Sequence, residues 1–427
     1  MEVRLINEFN IERAGGGKGL LGDIDGDGRM ELVIVQADHD IDDHYVPHQI
    51  TCVTAYRLTG ELMWQRGTCN AVSGNFGSDF PAQVYDIDGD GKLEILCVMN
   101  KTFMVLNGSD GTVKAEYDLP SEYAHDCILI ANLSGNEYPN DIILKDRYHN
   151  LWAMNKDFEL LWHHEGNVGH FPWCFDINED GYDEVMAGYD LLDHTGKVIW
   201  SCHDLEDHAD CIWIGDVNGD GKMEIVVGGS VTCLYRLSGE EIWRYDGSVE
   251  SQHIALGKFL PDEQGLCVAG LDRIQRGDGY KGQWDGKDGM FLLNSNGKEV
   301  WKEDRDTKGW LTIIDTLRNW NGEGQDYILA YRRGGGVMPG LYNGLGEKVI
   351  SFPQDGYVLH GDLFGRGMEE VLIYSKEKAW IFSGTWYDLS QKSSGVALKQ
   401  SKRLYSSTLY PGGEYMDDSS ACQGSID

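Results

Sequence analysis

Gly22-Asp23-Ile24-Asp25-Gly26-Asp27-Gly28-Arg29-Met30-Glu31-Leu32 decides the fold, because the chain keeps returning to it. It comes back nearly intact over Tyr85–Leu96, Phe175–Met186 and Gly215–Val226, and in worn form around Asn132, Lys258, Asn319 and Asp362. The eight copies stand mostly about 40 to 45 residues apart, with two wider gaps near 60, which is the period of a repeat architecture and not of unrelated domains.

Each copy carries the same grammar. An apolar strand ends at an acidic, Gly-rich turn. A second strand follows, as in Glu224-Ile225-Val226-Val227-Gly228-Gly229, and then a third, as in Cys233-Leu234-Tyr235-Arg236-Leu237. A further turn at Thr59-Gly60, Lys156-Asp157, Thr195-Gly196, Ser238-Gly239 or Asn296-Gly297 leads to a fourth strand, which holds Trp64, Trp162, Trp200, Trp243 or Trp301. Four short strands joined by hairpin turns and repeated radially are the blades of a β-propeller, an all-β fold in which the blades share one core. Two β-sandwiches would not need a common period. The expected propeller domain is 1–410, with strand-like Arg403–Tyr410 closing the ring and 411–427 forming a polar C-terminal tail.

Composition agrees. The 55 glycines suit a chain that turns every few residues, and no Pro-rich linker or long helical period interrupts it. Met1 opens a polar segment without a basic flank and apolar run, and no stretch approaches a membrane span, so a whole chain of this kind is expected in the cytoplasm; a trimmed leader would place it outside the cell. Of ten cysteines, Cys97, Cys127, Cys174, Cys211, Cys233 and Cys267 sit inside apolar strands, and no CxxC pair suggests a thiolate zinc site. Seventy acidic against 36 basic residues give a net charge of −34, which excludes nucleic acid and anionic membrane as expected partners.

Much of that acid lies in the repeated turns. Asp23, Asp25, Asp27, the carbonyl of Arg29 and Glu31 alternate along a loop that Gly26 and Gly28 allow to curl, a spacing used by hard cations such as Ca2+. Asp86, Asp88, Asp90 and Glu94 repeat it, whereas Asn178 and Asn218 weaken it in later copies. The competing reading is that the Asp side chains cap their own turn backbone. All the acidic turns join first and second strands, so they share one face of the disc, and calcium there is expected to be structural.

The opposite face carries other chemistry. The approaches to the first strands supply His125, His170, His208, His253 and Trp310 at equivalent points of consecutive repeats. The ends of the second strands supply His39, then Arg147, Tyr148 and His149, then Tyr189 and Asp190, then Asp272 and Arg273, and then Arg332 and Arg333. Long loops add His44, His48, Arg276 and Tyr280. Aligned histidines facing arginines are hard to attribute to packing. Glycines 334–336 beside the Arg332-Arg333 pair let a planar anion approach for bidentate contact, so the implied ligand carries a carboxylate, and the aromatic residues suit a sugar ring.

Three stretches carry a family resemblance. They are Gly22–Trp64 with Gln36-Ala37-Asp38 and Pro47-His48-Gln49 inside it, Asp183–Asp190, and His208–Gly229. Over roughly 15–385 the chain resembles the propeller polysaccharide lyases that act on rhamnose–uronic acid linkages: rhamnogalacturonan, ulvan and rhamnosyl-glucuronate lyases, together with related propeller α-L-rhamnosidases. The resemblance leaves seven or eight blades open. It implies β-elimination on an acidic rhamnose-containing oligosaccharide, with His170 or His208 as base and Tyr148 or His149 as acid. Arg147, Arg273, Arg332 and Arg333 would clamp the carboxylate, while His125, His253 and Trp310 would line the subsite. His48 matches the segment in which the rhamnosidase relatives keep a catalytic histidine, so elimination and hydrolysis both stay open. A non-catalytic carbohydrate-binding propeller is the third reading.

Overall fold

The computed structural model describes residues 1–38, 46–69, 80–202, 204–205, 207–275, 286–304, 312–332, 336–393, 395–396, 398 and 412–416. Strand β1 (Arg4–Asn10) precedes the repeats. The first unit comprises β2 (Lys18–Gly22), β3 (Glu31–Ala37), β4 (Ile50–Tyr56) and β5 (Leu62–Gly67). The second comprises β6 (Ala82–Tyr85), β7 (Glu94–Met99), β8 (Thr102–Asn107) and β9 (Val113–Asp118). β10 (Cys127–Ala131), β11 (Asp141–Lys145), β12 (Asn150–Met154) and β13 (Leu160–Glu165) form the third. β14 (Trp173–Phe175), β15 (Glu184–Ala187), β16 (Asp190–Leu192) and β17 (Val198–Ser201) form the fourth. The fifth is β18 (Cys211–Gly215), β19 (Glu224–Gly228), β20 (Thr232–Tyr235) and β21 (Glu241–Tyr245). The sixth is β22 (Ser251–Gly257), β23 (Cys267–Gln275), β24 (Lys287–Leu293) and β25 (Glu299–Asp304). The seventh is β26 (Thr312–Leu317), β27 (Tyr327–Arg332), β28 (Gly340–Tyr342) and β29 (Lys348–Ser351). β30 (Tyr357–Gly361), β31 (Glu370–Tyr374) and β32 (Lys378–Ser383) complete an eighth with β1.

Seven units are antiparallel meanders, and the eighth, also antiparallel, takes its fourth strand from β1. First strands are buried along most of their length and touch the first strands of neighbouring units, so they line the axis of a propeller-like body. Fourth strands alternate in exposure, as in β9 and β13, because one face meets solvent. The tryptophans of that strand latch units together. Trp64 Nε1 donates to the Gly108 carbonyl at 2.7 Å, Trp162 to His194 at 2.9 Å, Trp200 to Leu237 at 2.7 Å, Trp243 to Ser295 at 3.1 Å and Trp301 to Gly344 at 3.0 Å. Each indole lies against the glycine of the next unit's turn. At Gly239 (φ +82°), for example, a Cβ would stand 2.8 Å from Trp200.

Two terminal strands depart from expectation. Residues 403–410, expected to close the ring, lie outside the described residues, and β1 pairs with β32 instead, through Phe9↔Ala379 among others. Phe9 takes the tryptophan's place against Gly60, and Asn7 Nδ2 donates to the Leu58 carbonyl at 2.8 Å, so the eighth unit is latched to the first. Residues 413–415, assigned above to a polar tail, form β33 (Gly413–Tyr415), which runs parallel to β18 on its axial side. Tyr415 is buried there, and its hydroxyl donates to Asp326 at 2.6 Å. A single aromatic residue in a Gly-rich run carries too little pattern to announce a strand.

Among the described residues no helix is long and apolar enough to cross a membrane. The six cysteines read as strand residues are buried.

Candidate functional site

The acidic turns fold around their own carboxylates. Asp23 Oδ1 accepts the Asp27 amide at 2.9 Å, Oδ2 accepts Gly28 at 2.9 Å, and the Leu398 amide reaches the same oxygen. In four units the Glu that opens the second strand accepts an amide seven residues back: Glu31 from Ile24, Glu94 from Ile87, Glu184 from Ile177, Glu224 from Val217. Capping therefore explains much of the motif.

Cation capacity differs between the first two turns. In the first, Asp23, Asp25 and Asp27 bring carboxylate oxygens together, and burial pushes the Glu31 carboxyl up to about 9, with Asp25, Asp23 and Asp27 adding repulsion. Arg57 Nη1 contacts one oxygen of Asp25, but Asp25 Oδ1 is buried with no hydrogen-bond partner, which fits an oxygen-seeking cation. In the second turn Lys114 Nζ stands 2.6 Å from Asp88, 3.3 Å from Asp90 and 2.9 Å from Glu94, so an ammonium already holds the position a metal ion would take, while Asp86 caps Gly89 at 2.7 Å.

On the opposite face the structure gathers most of the expected residues into one arc. His48 is buried in the first unit, its Nδ1 2.9 Å from Asp38 Oδ1, and its carbonyl lies 3.2 Å from His125 Nδ1. Burial lowers the pKa of His125. In the third unit Asp126 receives Lys145 Nζ at 2.7 Å and Arg147 Nη1 at 3.1 Å, all three being buried. Arg147 Nη2 then reaches the Tyr148 hydroxyl at 3.4 Å, and the guanidinium lies 5.3 Å from the Tyr148 ring centroid.

Tyr148 leads into the centre. Its ring centroid is 5.3 Å from that of His170 and 5.4 Å from that of His208, and the two imidazoles are 4.6 Å apart. The Val168 amide donates to the Tyr148 carbonyl and the His170 amide to the Ala209 carbonyl, so backbone bonds between successive loops set these positions. His149 is exposed, 6.4 Å from Tyr148 between ring centroids. Both imidazoles turn Nε2 toward Asp210 Oδ1 at 3.6 Å, and His208 Nδ1 lies 2.7 Å from Asp207 Oδ1. Burial would lower the His208 pKa, but Asp210 and Asp207 outweigh it and raise it; burial raises that of Asp210.

Arg273 approaches from the sixth unit, where its charge acts on Asp210 and its Nε donates to Glu250 at 2.7 Å. Arg147 and Arg273, expected as carboxylate clamps, are therefore each already matched to a protein carboxylate. His253 is fully buried inside β22, and Arg332, also buried, ends β27. Asp190 faces His164 at 3.3 Å, and Asp272 is held by Lys302 at 2.8 Å and the Val249 amide at 2.7 Å. Trp310, Arg333, His39, His44, Arg276 and Tyr280 lie outside the described residues. Sequence reasoning missed Asp210, Asp126, Lys145 and Glu250. A signal was present, since His125-Asp126 and His208-Ala209-Asp210 both put an acid just before a first strand.

Comparison with known proteins bears on the fold and the family. The fold defines the class as all-β and propeller-like. Within that class, the profile of Rhamnogalacturonan lyase family 11, C-terminal domain, matches residues 15–139. The rhamnogalacturonan exolyase YesX of Bacillus subtilis (strain 168) is 22% identical over 439 residues, covering 84% of this chain and 69% of the relative. The crystal structure of exotype rhamnogalacturonan lyase YesX superposes with a TM-score of 0.65 at 18% identity, over 88% of this chain and 73% of that one. The Vibrio cholerae biofilm matrix protein Bap1 gives 0.64 at 12% identity, over 95% and 93%. The kinship expected from the repeats is borne out; at these identities the superpositions speak for the fold alone.

Proposed function

We propose that the chain is a polysaccharide lyase that cleaves rhamnose–uronic acid linkages of rhamnogalacturonan or rhamnosyl-glucuronate type by β-elimination, on a ring of eight blades. The observation that carries this is the convergence of Tyr148, His170 and His208 within 4.6–5.4 Å of one another on the face away from the acidic turns. Elimination breaks the C5–H bond of the uronate, forms the C4–C5 double bond and expels O4, which takes up a proton. Tyr148, with a guanidinium beside its hydroxyl, suits proton transfer at C5 or O4, and an imidazole suits the other half. A glycosidase that works through paired carboxyl groups is less well supported, because Asp190 and Asp272 belong to different units and each is already engaged, Asp190 with His164 of the third unit and Asp272 with Lys302 of its own. A calcium ion in the first acidic turn, held by Asp23, Asp25, Asp27 and Glu31, belongs to the same proposal as a stabilising ligand. It is supported by the buried Asp25 Oδ1.

Incubation with rhamnogalacturonan and rhamnosyl-glucuronate oligosaccharides tests the reading. A rise in ultraviolet absorbance from a C4–C5 double bond conjugated with the carboxylate is expected. Saturated products would make the protein a hydrolase, and binding without cleavage would make it a lectin-like propeller.

A further inference from the structure

We infer that Cys52 and Cys69 are a redox pair, two thiols of the first unit placed to close a disulfide when a peroxide reaches them. Their Sγ atoms are 3.5 Å apart. The backbone builds this approach. Cys52 lies opposite Gly67 in the β4–β5 ladder, and the Thr68 amide donates to the Thr51 carbonyl at 3.3 Å, so the chain past β5 turns over β4. That turn lays Cys69 Sγ against Cys52 and, at 3.8 Å, against Thr54 Oγ1. Gly67 permits it, because φ there is +85° and a Cβ would run into the Thr51 carbonyl oxygen.

The surroundings of the two thiols divide the work. Cys69 is half-buried and every other cysteine among the described residues is buried, so an oxidant in solution meets Cys69 first. Cys52 is fully enclosed, and burial pushes its thiol up to about 12, so it takes no part until Cys69 has reacted. Cys69 Sγ attacks one peroxide oxygen, the O–O bond breaks, one water leaves and a sulfenic acid remains. Cys52 Sγ then attacks Cys69 Sγ, the S–O bond breaks, the hydroxyl leaves with the thiol proton as a second water, and the S–S bond forms. Each sulfur gives up one electron and the peroxide takes two. The bond ties β4 to the start of the connection between the first and second units. That connection, 70–79, ends at Phe80, whose ring stands 6.0 Å from that of His48 and 4.9 Å from Lys18 Nζ. The disulfide therefore anchors the root of a segment that leads to the side of the His48 ring, and it does not depend on the lyase reading.

The test is brief hydrogen peroxide treatment of the reduced full chain, followed by thiol counting under denaturation and by tryptic mapping. Cleavage after Arg57 and Arg66 puts the two cysteines in separate peptides. Loss of two thiols out of ten and a reducible cross-link between those two peptides are expected. The oxidised protein should also melt several degrees above the reduced one, because the bond closes a loop between residues 17 apart in the unfolded chain. Cys52→Ser and Cys69→Ser should each abolish the cross-link; if the buried Cys52→Ser does not fold, the half-buried Cys69→Ser decides the matter. Ten free thiols after treatment, oxygen added to Cys69 with no cross-link, or a cross-link that survives Cys69→Ser would overturn the pairing.

Discussion

Replacing Tyr148 with phenylalanine removes one hydroxyl from a ring packed against His170 and His208, with little change in volume. If that hydroxyl carries a proton in the elimination, turnover should fall by about 10² to 10⁴ while the melting temperature holds. Initial rates of double-bond formation, alongside thermal unfolding, check it; unchanged rates would remove Tyr148 from the chemistry. The histidines stood out in the sequence because they recur at one point of successive repeats, and Tyr148 because it sits beside Arg147 at the end of a second strand on the same face. Asp210 was missed although an acid recurs just before the first strand at His125-Asp126 and His208-Ala209-Asp210, because among 70 acidic residues that spacing stands out only once the fold points two imidazoles at one carboxylate. The pairing of Arg147 with Asp126 was hidden for the same reason. A guanidinium's partner is a matter of three dimensions, and both residues look like free charges in one.

The fourth-strand tryptophans and the acidic turns are the elements that make the repeat hold together, and each invites a test. Trp200→Ala should destabilise by about 3–5 kcal/mol, the scale for an aromatic lost from a packed site, with the Leu237 carbonyl left bare. Gly239→Ala, which keeps the indole but forces a Cβ against it at φ +82°, should cost well over the ~1 kcal/mol of an unstrained change. Chemical denaturation measures both, and a neutral Gly239→Ala would mean that the turn relaxes freely. For the turns, calcium should raise the melting temperature by several degrees through native-state binding, and Asp25→Asn should abolish the rise. Lys114→Ala should add one calcium equivalent in isothermal titration, because it frees Asp88, Asp90 and Glu94 from their ammonium. An unchanged stoichiometry would show that the ammonium is not what excludes the metal. The acidic spacing was readable in sequence, but the side-chain cations that meet it were not: Lys114 lies 20 residues from Glu94 in the chain, and Arg57 reaches the first turn from the far end of β4.

At the scale of the whole molecule, His360 joins the seventh and eighth units, with Nδ1 2.8 Å from Glu369 and Nε2 2.9 Å from Asp315. Burial alone would lower its pKa, yet the two carboxylates outweigh that and raise it to about 9. A pKa raised on folding stabilises fully below the unfolded value near 6.5, and that contribution fades as pH climbs through about 9. Its size is on the order of a few kcal/mol. Denaturant midpoints measured from neutral to alkaline pH should therefore fall in the wild type and stay flatter in His360→Gln; parallel profiles would remove His360 as the cause. The overall architecture was legible from the period of the turns, whereas the way its ends meet was not. β1 exposes most of its residues and shows little alternation, so nothing in Arg4–Asn10 advertises a strand until Lys378–Ser383 lies beside it. That pairing sets a timetable for synthesis. Arg4–Asn10 is synthesised long before Lys378–Ser383 and must wait, unpaired and with an open edge, until that strand emerges. Its long-range contact is among the slowest to form, and the nascent chain is most vulnerable to intermolecular strand pairing during that interval.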